Sequence, residues 1–405
     1  MSNTKQESTR QLFWPRPQVQ AEWSLLSRCL QDSVYLPAQS LDDQVKSIEL
    51  AIEHGVGPLL YHRLKVANSN GSLTKLAEGR LKQEYFQTAA FNLLLSSEIP
   101  SLLQAFTKEG IPVLWVKGVI LAATIYSDLG FRPSGDLDII VSSENIDRAE
   151  KAIRTLGYIP ASPEAFGDFE KEISHARAYQ KKGGKGFALE LHQALVSDMH
   201  STTPTNGEWF WSHSIQVSIN GFPLFTLSPE ANLIYLCGHL ICHHGWEPRF
   251  IWLYDIHRLL EKYQETFDWD VFKTLTEKLN WQPYVGGVLK ATKVFLHSPI
   301  PEESLTEFDV GDEKLTSLRW QIKLPPTRAI LTFDEWRRIP SLGNRIRFLY
   351  HVFFPTRAYM VYRYQPSDLR LWPLLYPYRW SIMFRDGIQT LRSLYRQRGI
   401  NQGLS

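Results

Sequence analysis

The stretch RPSGDLDIIV, Arg132–Val141, places two aspartates one residue apart at the start of an otherwise apolar segment. Alternate side chains of a β-strand point to the same face, so Asp136 and Asp138 are expected to share a face, with Cα atoms roughly 6.6 Å apart. The apolar residues between and after them would then face the protein core. Two carboxylates at this spacing can hold a divalent cation between them.

A third carboxylate is expected from the segment ALELHQ at residues 188–193. Glu190 lies between Leu189 and Leu191, so in a strand it would project from one face together with His192. A charged group buried without a partner is costly, and Glu190 is therefore predicted to meet a cation. Aspartate pairs also occur in solvated loops and at helix caps, but the strand context favours a metal site.

The three carboxylates Asp136, Asp138 and Glu190 together predict a site of oxygen ligands. Such ligands suit Mg²⁺, which binds through a few carboxylates plus substrate phosphates. Two ions held in this way would stabilise the attacking and leaving oxygens of an in-line phosphoryl displacement. The residues therefore indicate phosphoryl chemistry, with Glu190 also able to assist deprotonation of an acceptor hydroxyl.

Upstream of the aspartates, Lys117 and Gly118 form the turn between a predicted strand and a predicted helix. A glycine there permits close approach of a phosphate, and the helix N-terminus offers unpaired N–H groups. Lys117 could add a point charge against a triphosphate, although a surface lysine before a turn is also common. Arg132 could meet a phosphate or pair with a carboxylate, and both roles are open.

The predicted fold class is α+β, with a mixed β-sheet core flanked by N-terminal and C-terminal helical units. Apolar residues recur at three- and four-residue intervals from about 18 to 108, which predicts helices. From Ile111 the pattern becomes β-α-β-α-β-β, and Gly183-Gly184 suits a hairpin turn. The predicted regions are an N-terminal helical unit at 1–108, the core at 109–228, a helical domain at 229–330 and an Arg- and aromatic-rich region at 331–405.

Composition indicates a protein of the reducing cytoplasm. The three cysteines, Cys29, Cys237 and Cys242, are too few and too scattered for a disulfide framework. The N-terminal stretch is polar and no window is apolar for about 18 residues, so neither a secretory signal nor a membrane span is expected.

The charge is unevenly distributed along the chain. The net charge is +2, but the segment from Trp336 to Ser405 contains 12 Arg, no Lys and 2 acidic residues, which gives 12 − 2 = +10. Three interpretations of this aromatic segment are open. Its aromatics could pack on preceding helices while arginines extend to water, the segment could lie on anionic lipid, or it could bind nucleic acid. Nucleic acid ranks last.

The run WVKGVILAATIYSDLGFRPSGDLDIIVSSENIDRAEKAIRTLGY, followed by ELHQAL, resembles the uncharacterised nucleotidyltransferase family of the DNA polymerase β-like superfamily. The segments EHGVGPLLYHRL, Glu53–Leu64, and HLICHHGWEPRFIWLYDIHRLL resemble helical elements of that family. The resemblance implies transfer of a nucleoside monophosphate from an NTP, with ATP as the expected donor, to an acceptor, with the use of two Mg²⁺ ions. It places the paired metal-binding aspartates on Asp136 and Asp138 and the third carboxylate on Glu190.

This chain departs from the family pattern at one turn, and the resemblance does not identify the acceptor. Many members carry Gly-Ser before the first core helix, whereas this chain has Lys117-Gly118, which we interpret as a substitute phosphate contact. A small molecule, a sugar, a peptide or a protein could each be the acceptor.

A histidine-rich segment is compatible with a different function. His239 and His243 are four residues apart, and Asp255 follows, which is compatible with a His/Asp-type metal phosphohydrolase. They could instead border the nucleotide cleft with His192 and position the acceptor, or form hydrogen bonds between structural elements. A further alternative is a non-catalytic nucleotide-binding or scaffold protein that acts through its basic aromatic tail.

Overall fold

The computed structural model describes residues 14–30, 41–67, 74–183, 188–194, 208–308, 327–339 and 341–402. The N-terminal region is helical, as expected. Its helices are α1 (Pro17–Leu30), α2 (Leu41–Glu53), α3 (Gly57–Val66) and α4 (Lys75–Lys108).

The described residues form seven strands in one mixed sheet. In chain order these are β1 (Leu114–Val116), β2 (Asp136–Ile140), β3 (Tyr158–Pro160), β4 (Ala176–Lys181), β5 (Ala188–His192), β6 (Ser214–Ile219) and β7 (Phe222–Leu227). Their order in the sheet is β3-β4-β5-β2-β1-β7-β6. The α+β class is thus confirmed.

The helices between the strands match the expected alternation. Helix α5 (Gly118–Ile125) follows β1, and α6 (Ile146–Thr155) follows β2 after a 3₁₀ turn at Ser143–Asn145. Gly157 ends α6 with a φ of 85°, a conformation that glycine adopts without strain. Two short helices follow, α7 (Glu170–Ile173) and α8 (Glu208–Ser212).

Helices return after the sheet, in agreement with the predicted pattern. They are α9 (Pro229–His244), α10 (Phe250–Lys262), α11 (Trp269–Lys278), α12 (Gln282–Leu296), α13 (Glu302–Glu307), α14 (Arg328–Arg338), α15 (Leu342–Phe353), α16 (Arg357–Tyr364) and α17 (Leu375–Gln402). Ser228 caps α9 by accepting a hydrogen bond from the Ala231 amide, and Pro229 occupies its first turn. Among the described residues, no helix combines the length and apolarity that a bilayer span requires.

The described residues divide into two compact units. One contains those of Met1–Pro100, Leu114–Leu137 and Phe210–Lys323, and the other contains those of Ser101–Val113, Asp138–Trp209 and Leu324–Ser405. In the second unit the C-terminal helices contribute to a core of their own, because Phe348 and Val352 pack with Phe169 and Ile339. The four regions proposed from the sequence remain a prediction.

The register of the sheet shows which residues of neighbouring strands lie opposite each other. Strands β4 and β5 are antiparallel, with Ala178 opposite Glu190 and Ala176 opposite His192. The hairpin expected there is present, although its glycines after Gly183 lie outside the described residues. In the first unit, β1 pairs in parallel with β7, and β7 is antiparallel to β6. The β6–β7 hairpin is an addition to the predicted strand order.

Candidate active site

Strand alternation sets the faces of β2 and β5 as the sequence predicts. Leu189 and Leu191 are fully buried, and Glu190 and His192 project from the opposite face of β5. On β2, Asp138 is flanked by buried Leu137 and Ile139. Asp138 is itself only 4% exposed and His192 only 2%, so an aspartate and a histidine are both withdrawn from water.

Three side chains of the second unit meet at one point. His192 Nε2 lies 2.9 Å from Asp138 Oδ1 and 3.3 Å from Glu190 Oε2. One potential ligand atom from each of the three lies within 4.8 Å of the other two. The backbone fixes this arrangement, because the Val141 amide donates a hydrogen bond to the His192 carbonyl oxygen at 3.0 Å.

The donor set fits a divalent cation. Two carboxylates and an imidazole nitrogen within 4.8 Å can converge on one ion, and a buried carboxylate such as Asp138 needs a partner of opposite charge or a hydrogen bond. His192 contributes in one of two ways. It coordinates the ion directly, or it donates its Nε2–H to Asp138 and orients that carboxylate.

Asp136 lies outside this three-residue group. Among the described residues, Asp138, Glu190 and His192 form the group whose side chains are close enough to share a metal ion. Asp136 is the first residue of β2 and is half-buried. Asp136 and Asp138 are alternate residues of β2, the spacing for which a shared strand face is expected. The sequence predicted a ligand set of Asp136, Asp138 and Glu190. In the structure, the three side chains that lie closest together are Asp138, Glu190 and His192.

The turn at Lys117-Gly118 has an unusual backbone. Lys117 has φ 48° and ψ −152°, and Gly118 has φ 37°. A residue with a side chain rarely adopts a positive φ, and strain of this kind persists at sites of function. The Lys117 carbonyl oxygen accepts the first helical hydrogen bond of α5, from the Leu121 amide at 3.0 Å. The Lys117 ammonium lies 5.7 Å from the centre of the Tyr235 ring.

Of the two roles open to Arg132, the structure shows the carboxylate pair. Its Nη2 lies 2.9 Å from Asp255 Oδ2, and its Nε donates to Asp255 Oδ1 at 3.1 Å. Tyr126 donates a further hydrogen bond to Asp255 Oδ1 at 2.7 Å. Burial, followed by the nearby Asp255 charge, raises the pKa of Tyr126 well above its usual value. The phosphate role predicted for Arg132 is not supported, because its guanidinium is buried in this network.

Asp255 is likewise a buried ion-pair partner and does not border an open cleft. It is 0% exposed, and both of its oxygens are engaged by Arg132 and Tyr126. A phosphohydrolase site formed by His239, His243 and Asp255 would need this carboxylate as a metal ligand. No such ligand group forms around those histidines in the part of the chain that the structure describes.

The histidines of α9 instead form a ring cluster. The His239 and His243 rings are 5.2 Å apart, and His244 stacks on Trp252 with ring centres 3.8 Å apart. Burial, with the positive charges of Lys117 and Arg249, lowers the pKa of His244 to about 4. His244 is therefore neutral at neutral pH. The sequence analysis assigned this residue no role of its own, and Trp252, one helix later, gives no sequence signal of the stack.

Comparisons with known proteins agree with the resemblance. Residues 41–297 match the model of a family described as uncharacterised nucleotidyltransferase. No curated protein sequence matches significantly. Similar solved structures include the antibiotic-resistance factor ANT(2'')-Ia, with 12% identity over 47% of this chain and 92% of that chain and a TM-score of 0.34. Another is an antigenic nucleotidyltransferase-like protein from Paracoccidioides brasiliensis, with 16% identity over 51% of this chain and 96% of that chain and a TM-score of 0.28.

Proposed function

The chain belongs to the uncharacterised nucleotidyltransferase family, and on that premise we propose that it transfers AMP from ATP, or NMP from another NTP, to an acceptor. Asp138 and Glu190 hold a divalent cation, and Asp136 adds a carboxylate from the same strand face. Oxygen ligands favour Mg²⁺, and two ions are expected. The bound metal supplies charge stabilisation for the phosphate oxygens in an in-line displacement.

The reaction breaks one bond and forms one. A nucleophilic oxygen of the acceptor attacks the α-phosphorus of the nucleotide, the bond from that phosphorus to the bridging oxygen breaks, and pyrophosphate leaves with the bonding electrons. The proton of the acceptor hydroxyl passes to a base, for which we propose Glu190, the more exposed of the two clustered carboxylates. His192 holds Asp138 in place through the hydrogen bond at 2.9 Å.

Lys117 and Gly118 are proposed to bind the triphosphate. The Lys117 side chain does not cap α5, and the first amides of the helix together with its dipole attract an anion. The strained backbone of Lys117 supports this role, because a lysine with positive φ has an energetic cost that an ordinary surface turn would avoid. His239 and His243 remain candidates for contacts with the acceptor.

The observation that carries the proposal is the convergence of Asp138, Glu190 and His192 within 4.8 Å. Carboxylates at the face of a sheet, close enough to share one cation, are what metal-assisted transfer of a phosphoryl group requires. The histidine ring cluster of α9 offers no comparable set of acidic ligands among the described residues. Hydrolysis at that cluster is therefore not proposed.

The test uses ATP labelled at the α-phosphate, incubated with the purified chain, Mg²⁺ and fractionated candidate acceptors. Label transferred to an acceptor together with release of pyrophosphate is expected for the wild type. Asp138→Asn and Glu190→Gln should lose transfer. Asp168→Asn and Glu144→Gln are matched controls, because both residues are exposed and lie in the same unit.

Three outcomes contradict the proposal. Equal transfer by the wild type and Asp138→Asn would remove the assigned site. Binding of ATP without transfer to any acceptor class, with folding intact, would identify a non-catalytic nucleotide-binding protein. Release of γ-phosphate alone would identify a phosphohydrolase.

We also propose that the protein acts in a reducing compartment, the cytoplasm. The cysteines Cys29, Cys237 and Cys242 form no disulfide, and burial raises the pKa of the Cys29 thiol to about 11. Cell fractionation followed by detection of the chain tests the compartment. Recovery in an oxidising compartment would contradict it.

A further inference from the structure

Helix α15 exposes an apolar stripe along its whole length. Leu342 is 72% exposed and Ile346 is 62% exposed, and Leu349, Tyr350 and Phe353 lie on the same helix face at the spacing of successive turns. The opposite face of α15 carries the buried residues that pack in the core of the second unit. The exposed stripe is thus a second apolar face that folding leaves in water, and such faces mark interaction sites.

The stripe continues onto α17 through a chain of aromatic contacts. Tyr350 stacks with Phe354 at 5.4 Å between ring centres, and Phe354 meets Trp380 edge-on at 5.4 Å. The Trp380 indole donates a hydrogen bond to the Phe353 carbonyl oxygen at 2.9 Å, which fixes the junction. One turn further along α17, Phe384 is 73% exposed. Two helices therefore present one continuous apolar surface.

We name this surface the C-terminal apolar face. It comprises Leu342, Ile346, Leu349, Tyr350, Phe353, Phe354, Trp380 and Phe384.

Arginines are frequent in the segment that carries the C-terminal apolar face. Of the arginines after Trp336, several are exposed in the described residues: Arg337, Arg347, Arg357, Arg363, Arg370, Arg385 and Arg392. The acidic residues of the same segment are Asp368 and Asp386, and Asp368 caps the 3₁₀ turn at Leu369–Leu374. Arginine matches phosphate geometry with its planar guanidinium and is more weakly hydrated than lysine. The segment thus combines exposed aromatic and aliphatic side chains with a surplus of phosphate-binding charge.

We propose that the C-terminal apolar face docks the protein on an anionic phospholipid surface, independently of the proposed transfer activity. Exposed aromatic and aliphatic side chains on one helix face, in a segment rich in exposed arginine, are features of helices that lie in a membrane interface. The charge complementarity is direct, since the segment from Trp336 to Ser405 has a net charge of +10 and lipid phosphates are anionic. No membrane span is needed for such docking.

Lipid fits this surface better than nucleic acid does. Phe384 and Leu342 are the most exposed side chains of the face, at 73% and 72%, and a fluid acyl boundary accommodates such apolar groups without a shaped pocket. Stacking on bases would require aromatic faces, whereas Leu342, Ile346 and Leu349 offer none. These three aliphatic side chains of the surface would remain in water on a nucleic acid.

The experiment is flotation of the full chain with vesicles. Neutral phosphatidylcholine vesicles are compared with vesicles that contain about 30% phosphatidylglycerol, at about 0.1 M and about 0.5 M salt. We expect about tenfold more bound chain on the anionic vesicles at low salt, and a large part of that binding should be lost at high salt because screening weakens the arginine contribution.

Variants separate apolar insertion from charge. Phe384→Ser combined with Leu342→Ser should reduce vesicle binding about tenfold, because both side chains would enter the interface. Phe86→Ser combined with Leu76→Ser is the matched control, since these residues of α4 are 55% and 79% exposed and lie outside the face. Circular dichroism and the melting temperature verify that each variant is folded. Arg385→Gln combined with Arg370→Gln should lower binding to anionic vesicles alone.

The proposal is overturned by any of three results. These are equal binding of the control pair and the face pair, no preference for anionic over neutral vesicles, or binding to a single-stranded RNA homopolymer with none to vesicles. Self-association that the face variants abolish, again without vesicle binding, would assign the surface to a second copy of the chain. Loss of vesicle binding in the face pair with unchanged label transfer would support lipid docking alone.

Discussion

His192 lies within hydrogen-bonding distance of Asp138, with 2.9 Å between Nε2 and Oδ1, and the same nitrogen is 3.3 Å from Glu190 Oε2. One side chain therefore links the carboxylates of two strands. When Asp138 is ionised and no ion is bound, its carboxylate can only accept, so the histidine Nε2 then carries the proton of this hydrogen bond. The contact orients Asp138 before any substrate arrives, which lowers the cost of organising the site.

Replacement of this histidine tests its positioning role. His192→Ala is expected to lower metal affinity and turnover by about 10- to 100-fold, the usual effect of losing a group that orients a ligand. His192→Gln keeps an N–H donor near the same place and should restore part of the loss. Isothermal titration with Mg²⁺ and Mn²⁺ measures the affinities separately from turnover.

His213→Ala is the control, because His213 lies in the other unit and its ring is hydrogen-bonded to the neighbouring Ser212. If His192 is a direct ligand, Mn²⁺ binding should suffer more than Mg²⁺ binding, since imidazole prefers the softer metal. Unchanged metal affinity and turnover in His192→Ala would contradict both roles.

Backbone strain at Lys117 gives a second prediction. Both Lys117→Gly and Lys117→Ala remove the ammonium, so both should weaken ATP binding about tenfold if the lysine contacts the triphosphate. Their stabilities should differ, because glycine tolerates φ 48° and alanine does not. We expect Lys117→Gly to have a free energy of unfolding about 1–3 kcal/mol higher than Lys117→Ala.

Lys82 in α4 provides the reference for that comparison. It is exposed in a regular helix, where Lys82→Gly should be about 1 kcal/mol less stable than Lys82→Ala. Urea unfolding measures all four variants, and ATP titration follows binding. The same order of stability at both positions would show that the Lys117 backbone is not strained.

The sequence predicted the site strands because their side-chain period is unambiguous. Leu189-Glu190-Leu191-His192 alternates strictly, and the structure follows that alternation. The β6–β7 hairpin was missed although its signal is present. Asn220-Gly221 separates two apolar runs and has φ values of 52° and 83°, the left-handed pair of a tight hairpin turn. Pro223 within β7 makes that strand less obvious from sequence alone.

Other features of the site depend on contacts that local patterns do not encode. Arg132 and Asp255 are 123 positions apart, and a single sequence holds no signal that selects this partner over a phosphate. The positive φ of Lys117 is equally invisible, since lysine is not a residue that favours it. Tertiary packing decides both.

The buried pair of Arg132 and Asp255 yields a third prediction, on stability. Removal of one partner leaves an uncompensated buried charge, so Arg132→Met should lower the free energy of unfolding by about 3–5 kcal/mol. Arg132→Met combined with Asp255→Leu should recover much of that loss, because both charges are then absent. Chemical denaturation measures each variant.

Arg80→Met is the comparison for a surface pair. Arg80 lies 3.5 Å from Glu49 with both side chains largely in water, and such a pair contributes at most about 1 kcal/mol. A loss for Arg132→Met no larger than that for Arg80→Met would mean that Asp255 is solvated or protonated in the folded protein.

Stability should also depend on pH through His244. Burial, with the charges of Lys117 and Arg249, lowers the pKa of His244 from 6.5 to about 4 in the folded chain. Between these values the unfolded chain binds a proton that the folded chain does not, so the free energy of unfolding falls as the pH decreases from 6.5 to 4. A difference of this size corresponds to up to about 3 kcal/mol.

His244→Phe isolates this effect, because phenylalanine keeps a ring against Trp252, whose centre is 3.8 Å from that of His244, and does not titrate. Other histidines, such as His54, whose pKa burial also lowers, contribute equally to both proteins and cancel in the comparison. The difference in unfolding free energy between His244→Phe and the wild type should therefore grow as the pH is lowered from 6.5 to 4 and stay constant above pH 7. A difference independent of pH would show that His244 is protonated as readily in the folded chain as in the unfolded one, and that Lys117 and Arg249 do not act on it.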